Sequence, residues 1–210
     1  DVRADEPGDV RDDLLGDAVP KLLKLKTGWQ EKQLRRICKD TIIFVDEPYM
    51  SAFGSVSVML SREKVISLLD EVFSGISGFK GVHCCGNTDW SVLLATSVDI
   101  INYDTYNYAP SLSLYPNEVK KFLDRNGTIA WGIVPNSAEA LAKESVASLQ
   151  DRLEEAMVPF TRKGILFKQL VLQGLLTPSC GLGLLPNPEA SGHALELLTE
   201  LSVRMRKKYL

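Results

Sequence analysis

Thr41-Ile42-Ile43-Phe44-Val45 runs directly into Asp46-Glu47-Pro48. An unbroken β-branched and aromatic run, with no polar alternation, predicts a strand buried on both faces in a parallel sheet. Two carboxylates at the end of such a strand need a cation, a metal or hydrogen-bond donors. The same order recurs further along. Gly81-Val82-His83-Cys84-Cys85-Gly86-Asn87 is reached from a Gly-rich turn at 75–81 and reads as a second strand end. Val98 to Tyr103 ends in Asp104, Thr128 to Val134 is followed by Pro135 and Asn136, and Leu170 to Leu176 precedes Thr177-Pro178-Ser179-Cys180-Gly181. Helical patterns separate these runs. One is capped by Ser61 and reaches Phe73, one spans about Thr88 to Thr96, and others cover Pro116 to Asn126, a Ser137-capped segment and Val146 to Thr161. A closing helix is predicted from Pro188 to about Lys207, its last turn basic as the helix dipole prefers. Upstream, Leu22, Leu25, Trp29, Leu34 and Ile37 mark an amphipathic helix between Leu14 and Cys38, with a break at Gly28. Strand and helix alternate with no hairpin signal, which predicts right-handed crossovers and the α/β class.

The bulk properties narrow the functional classes. A chain of 210 residues can bury one core, here assigned to 18–210 after an acidic arm at 1–17. A first residue other than Met points to a trimmed or excised piece. Composition is that of an ordinary soluble globular protein, and the net charge of -3 gives no reason to expect nucleic acid or an anionic membrane as partner. Neither a membrane span nor a signal peptide is expected. Four cysteines in this length do not make a disulfide scaffold, and His-x-Cys favours a metal over a bridge, so a reducing, cytoplasmic compartment is expected.

The chemistry gathers after the strands. Alternation sends His83 and Cys85 to one side of their strand and Cys84 to the other. An imidazole and a thiolate at that spacing form half of a tetrahedral zinc site. Cys180 supplies a third ligand, and three protein ligands with one open position is the catalytic pattern. The bland alternative is a buried histidine beside inert cysteines, as is read for Cys84 and Cys38. Asp46 and Glu47 read as substrate-binding groups, against a cap or a salt bridge. Asp104 is a ligand, a group supporting a ligand, or a loop hydrogen-bonder. Asn87 reads as a helix cap and His193 as a surface histidine, and Tyr103, Tyr106 and Tyr108 as packing more than pocket lining.

Four pieces in order carry a family resemblance: Val45-Asp46-Glu47-Pro48, His83-Cys84-Cys85-Gly86-Asn87, Asp99-Ile100-Ile101-Asn102-Tyr103-Asp104 and Thr177-Pro178-Ser179-Cys180-Gly181-Leu182. Over roughly residues 40–185 the chain resembles the zinc-dependent methyltransferases of the cobalamin-independent methionine synthase superfamily, whose relatives include uroporphyrinogen decarboxylase. The resemblance implies zinc held by His83, Cys85 and Cys180, with Asp104 at a position where the family has Glu, and Asp46 as the group that holds a homocysteine ammonium. It implies a (β/α)8 TIM barrel, of which this chain matches the C-terminal five or so units. It also implies a homocysteine-like thiol activated as a zinc thiolate, with methylcobalamin (on a corrinoid protein) or methyltetrahydrofolate as methyl donor. A part-barrel leaves sheet edge and apolar surface open, so a homo-oligomer completing the sheet is expected. Two other readings stand beside this one: a non-catalytic barrel fragment or interaction domain, and a metal-free protein like uroporphyrinogen decarboxylase.

Overall fold

The computed structural model describes residues 10–54 and 60–210. Its elements are α1 (Val10–Leu34), β1 (Ile42–Asp46), α2 (Arg62–Phe73), β2 (Phe79–Cys84), α3 (Trp90–Leu93), β3 (Ile100–Tyr103) and α4 (Thr105–Ser113). They continue as α5 (Pro116–Asp124), β4 (Thr128–Val134), α6 (Ala138–Leu141), α7 (Val146–Thr161), α8 (Phe167–Leu172), β5 (Gly174–Pro178) and α9 (Pro188–Tyr209). All five strands are parallel and lie side by side in sequence order. The order never reverses, which is consistent with part of a barrel wall and differs from a doubly wound sheet, whose order switches midway. Among the described residues β1 and β5 are the sheet's edges.

The two faces of the sheet are unlike. One receives Val82, Cys84, Ile101, Tyr103, Ile129, Trp131 and Ile133, all buried under helices. Trp90, Tyr103, Trp131 and Phe160 form a chain of edge-to-face contacts there, with centroids 5.5, 5.9 and 6.0 Å apart. Full burial stabilises each large apolar side chain by roughly 1.5–3 kcal/mol, so this face dominates the fold. On the other face Ile42, Phe44, Phe79 and Leu175 are at least 40% exposed. Phe44 lies over Gly81, where a Cβ would come within 2.5 Å of its ring. The expectation that the Thr41–Val45 run is buried on both faces is thus corrected. An apolar run reports that both faces are apolar; helices cover only one of them here.

Several boundaries also differ from expectation. Residues 1–9 of the acidic arm lie outside the described residues, and 10–17 are the first turns of α1. That helix passes through Gly28 unbroken, because the glycine serves close approach: a Cβ there would stand 2.9 Å from the Gly75 carbonyl oxygen. Its expected apolar stripe faces outward, with Leu22, Leu25 and Trp29 63% to 71% exposed, while Thr27 and Glu31 are buried. The helix after β2 is shorter than expected and is capped by Asp89, not Asn87. Leu170–Leu172 belong to α8, and β5 begins only at Gly174. A short Leu/Val run fits a buried helix as well as a strand. The caps at Ser61 and Ser137 form as the sequence indicates, and the structure adds Asn187 as the cap of the basic-ended α9, which Pro188 opens. Among the described residues no helix is long and apolar enough to cross a membrane.

Candidate metal centre

β2 delivers the first donors. Strand alternation turns Cys84 into the helix-covered core, where burial pushes its thiol up to about 11. The same alternation turns His83 onto the bare face, and Cys85 follows just past the strand end. The third donor comes from the loop after β5. There the Ser179 amide donates to Val134 O at 2.8 Å, and its hydroxyl reaches Asn136 Oδ1 at 3.3 Å. These bonds hold the loop against the end of β4. Gly132 permits this, since a Cβ on it would stand 3.0 Å from Ser179 Cα and 2.4 Å from Tyr103 O.

The result is a compact donor set. His83 Nε2 and Cys180 Sγ are 3.5 Å apart, and the donor atoms of His83, Cys85 and Cys180 all lie within 4.8 Å of one another. Ligand distances of about 2.0–2.1 Å to nitrogen and 2.3 Å to sulfur, at a tetrahedral angle, require N–S and S–S separations of roughly 3.5 and 3.8 Å. The residues therefore fit a tetrahedral ion with small adjustments. None of the three is fully buried, which leaves room for a fourth ligand from outside. Burial first, and then the neighbouring Cys180, push the Cys85 thiol upward. A cation between the two sulfurs would reverse that trend.

The other expected site residues have different settings. Asp104 stands outside the donor set and caps α4, accepting from Asn107 N at 2.9 Å and from Asn107 Nδ2 at 2.7 Å. Burial raises its pKa, and the Asn107 bonds and the nearby His83 only partly offset the rise. Asp46 is exposed and pairs with His83 in the strand register, so its side chain starts on the same face. The Glu47 amide donates to His83 O at 2.8 Å, and burial raises its carboxyl pKa. The turn after β1 is pinned to the loop after β2: Thr88 Oγ1 donates to Met50 O at 2.6 Å, and a Cβ on Gly86 would stand 2.7 Å from Ser51 Cβ. Of the tyrosines, Tyr103 is core, Tyr106 donates to Glu144, and Tyr108 is exposed. His193 is exposed on α9, 3.8 Å from Glu196.

Sequence reasoning missed Asn102 and Thr177. Asn102 Oδ1 lies 2.6 Å from His83 Nδ1, while Asn102 Nδ2 donates to Ala130 O and Thr177 Oγ1, each at 2.8 Å. The available signal was one amide inside an otherwise apolar strand, where a polar side chain needs a partner.

No family model matches the chain, and no curated protein matches it. Among solved structures, that of a B12-independent methionine synthase from Shewanella sp. W3-18-1, in complex with selenomethionine, is similar in fold. The TM-score is 0.59 at 19% sequence identity, with 90% of this chain and 54% of the other covered. The chain thus spans about half the length of that protein, and what the two share is an α/β architecture built on parallel strands.

Proposed function

We propose that His83, Cys85 and Cys180 hold a zinc ion in a unit that methylates a small homocysteine-like thiol, with a methylated corrinoid or methylfolate as donor. The carrying observation is the convergence of one imidazole and two thiols from two distant loops, within 4.8 Å of one another. Zinc in that setting would supply the positive charge that lowers the pKa of a thiol at its open position. Two thiolate ligands leave less charge on the ion than three imidazoles would, which favours alkyl transfer over hydrolysis. In the transfer itself the thiol proton leaves to solvent, and a sulfur lone pair forms the new S–C bond. The bond from the methyl carbon to the donor breaks, and the donor keeps that electron pair.

Asp46 gives the reading its amino-acid character, as an exposed carboxylate in register with His83 and able to hold an ammonium. Glu47 is the second carboxylate of that end, and Asp104 orders the loop beside the donors. The exposed apolar side chains of β1, β2 and β5 on the face away from the helices, and the sheet edges at β1 and β5, support a further element: additional parallel β/α polypeptide completes the working unit. A second copy of this chain is one source of that cover, and the fold likeness to a longer methionine synthase supports the same picture.

The test is a methylation assay on zinc-loaded chain with homocysteine and either methylcobalamin or methyltetrahydrofolate. The expected result is thiol-dependent loss of the methylcobalamin spectrum or formation of methionine, absent in Cys180→Ala. No transfer from either donor, with zinc bound and the chain self-associated, would overturn the catalytic reading for this chain and leave a metal-holding interaction domain.

A further inference from the structure

We infer that Asn102 fixes the tautomer of His83 and so decides which ring nitrogen faces the two thiols; only the consequence for metal binding rests on the zinc reading. Asn102 lies on β3 in register with His83 on β2 and Ala130 on β4. Its side chain reaches across β4, whose Ala130 presents no more than a methyl group, to meet Thr177 of β5. A backbone carbonyl decides how the amide is turned. Ala130 O lies 2.8 Å from the amide and has no proton to give, so the atom facing it is Nδ2. Nδ2 also serves Thr177 Oγ1, which leaves Oδ1 facing His83 Nδ1 at 2.6 Å. An amide oxygen only accepts, so Nδ1 carries the ring proton. A neutral imidazole holds one proton, and Nε2 therefore keeps a bare lone pair. Nε2 is the atom 3.5 Å from Cys180 Sγ. The opposite tautomer would set two lone pairs against each other at 2.6 Å, beside an amide only 7% exposed to water.

Asn102 is on this view a positioning residue. It holds the imidazole plane and keeps Nε2 free, and loss of such support to a metal-binding histidine typically lowers affinity about 10–100-fold.

The chain has two histidines, His83 and the exposed His193, so long-range ¹H–¹⁵N correlation spectra can read the ring states directly. Metal-free protein at about pH 8, above the usual histidine pKa, is compared with Asn102→Leu and Asn102→Asp, with His193→Gln for assignment. His83 is expected as the Nδ1–H form in the wild type and in Asn102→Asp, which keeps an oxygen acceptor. In Asn102→Leu it should relax to a mixture, and zinc affinity by chelator competition should fall about 10–100-fold. An Nε2–H ring in the wild type, or an Nδ1–H ring unchanged in Asn102→Leu, would overturn the inference. A mixture in Asn102→Leu counts only where circular dichroism shows that variant folded; where it is not, the Asn102→Asp arm decides, and loss of the Nδ1–H form in a folded Asn102→Asp would overturn the inference. An Nδ1–H ring in a wild-type chain that binds no zinc would uphold the role of Asn102 while sinking the metal reading.

Discussion

The two ends of the sheet differ in what their polar side chains have left over. At the amino end each is tied to several partners on other segments. Glu31 accepts from the amides of Ser77 and Gly78 at 2.7 and 2.6 Å, from the Thr41 hydroxyl at 2.9 Å, and from Arg35. Arg125 donates to the carbonyls of Thr96 and Val98, and Gln173 to those of Leu123 and Gly127. These bonds join the segments that lead into all five strands. At the carboxyl end His83, Cys85 and Cys180 face one another with capacity left over, and only His83 Nδ1 has a firm partner. Saturated bonds at one end buy rigidity, and unsaturated donors at the other leave room for a ligand. That division is the one a β/α barrel makes between its stabilising and its reactive ends.

The comparison can be broken most readily at Glu31. Glu31→Ala removes a charged acceptor and strands two amides and a hydroxyl. Hydrogen bonds to charged groups contribute about 1.5–3 kcal/mol each, so stability in urea should fall by roughly 3 kcal/mol or more. Zinc stoichiometry of the folded fraction should not change. Burial alone would raise the Glu31 pKa; the bonds from Ser77, Arg35, Thr41 and Gly78 outweigh it and bring it from 4.5 to about 2. The folded-state value is depressed, so the stabilisation is present above about 4.5 and is lost as pH falls toward about 2. An acid-unfolding limb in that window, flattened in Glu31→Gln, is the expected signature; an unchanged limb would contradict it.

Arg125→Ala tests the same end more gently. It leaves the Thr96 and Val98 carbonyls without their donor and should lower stability by about 2 kcal/mol, again with no effect on metal. At the other end, Asp104→Asn keeps an N-cap oxygen, and stability should change by less than about 0.5 kcal/mol. If Asp104 serves only as a cap, chelator competition should find zinc affinity within about threefold; a fall of tenfold or more, the scale expected of groups that orient ligands, would move Asp104 into the metal's surroundings.

What the sequence disclosed follows the same division. That His83, Cys85 and Cys180 converge was legible because strand alternation and the His-x-Cys spacing are local facts, and the loop at Cys180 repeats the strand-then-polar order. The parallel α/β class was legible for the same reason. The orientation of α1 was not. Periodicity finds an apolar stripe at Leu22, Leu25 and Trp29 but cannot say which side the core lies on, and the buried side holds Thr27 and Glu31. That outward stripe and the Ile42–Phe44 face leave apolar side chains in solvent, and the pairing of two copies proposed above predicts a light-scattering mass above one chain. Glu31 and Asn102 were hidden because their partners lie 46 and 19 residues away in sequence. Only the fold brings them together.

The most direct test of the account is the zinc content of purified chain by elemental mass spectrometry, beside His83→Ala and Cys180→Ala. The account predicts about one zinc per chain, from one tetrahedral set, lost in both variants while their folds persist. A wild-type chain that holds no zinc after reconstitution under reducing conditions would contradict it.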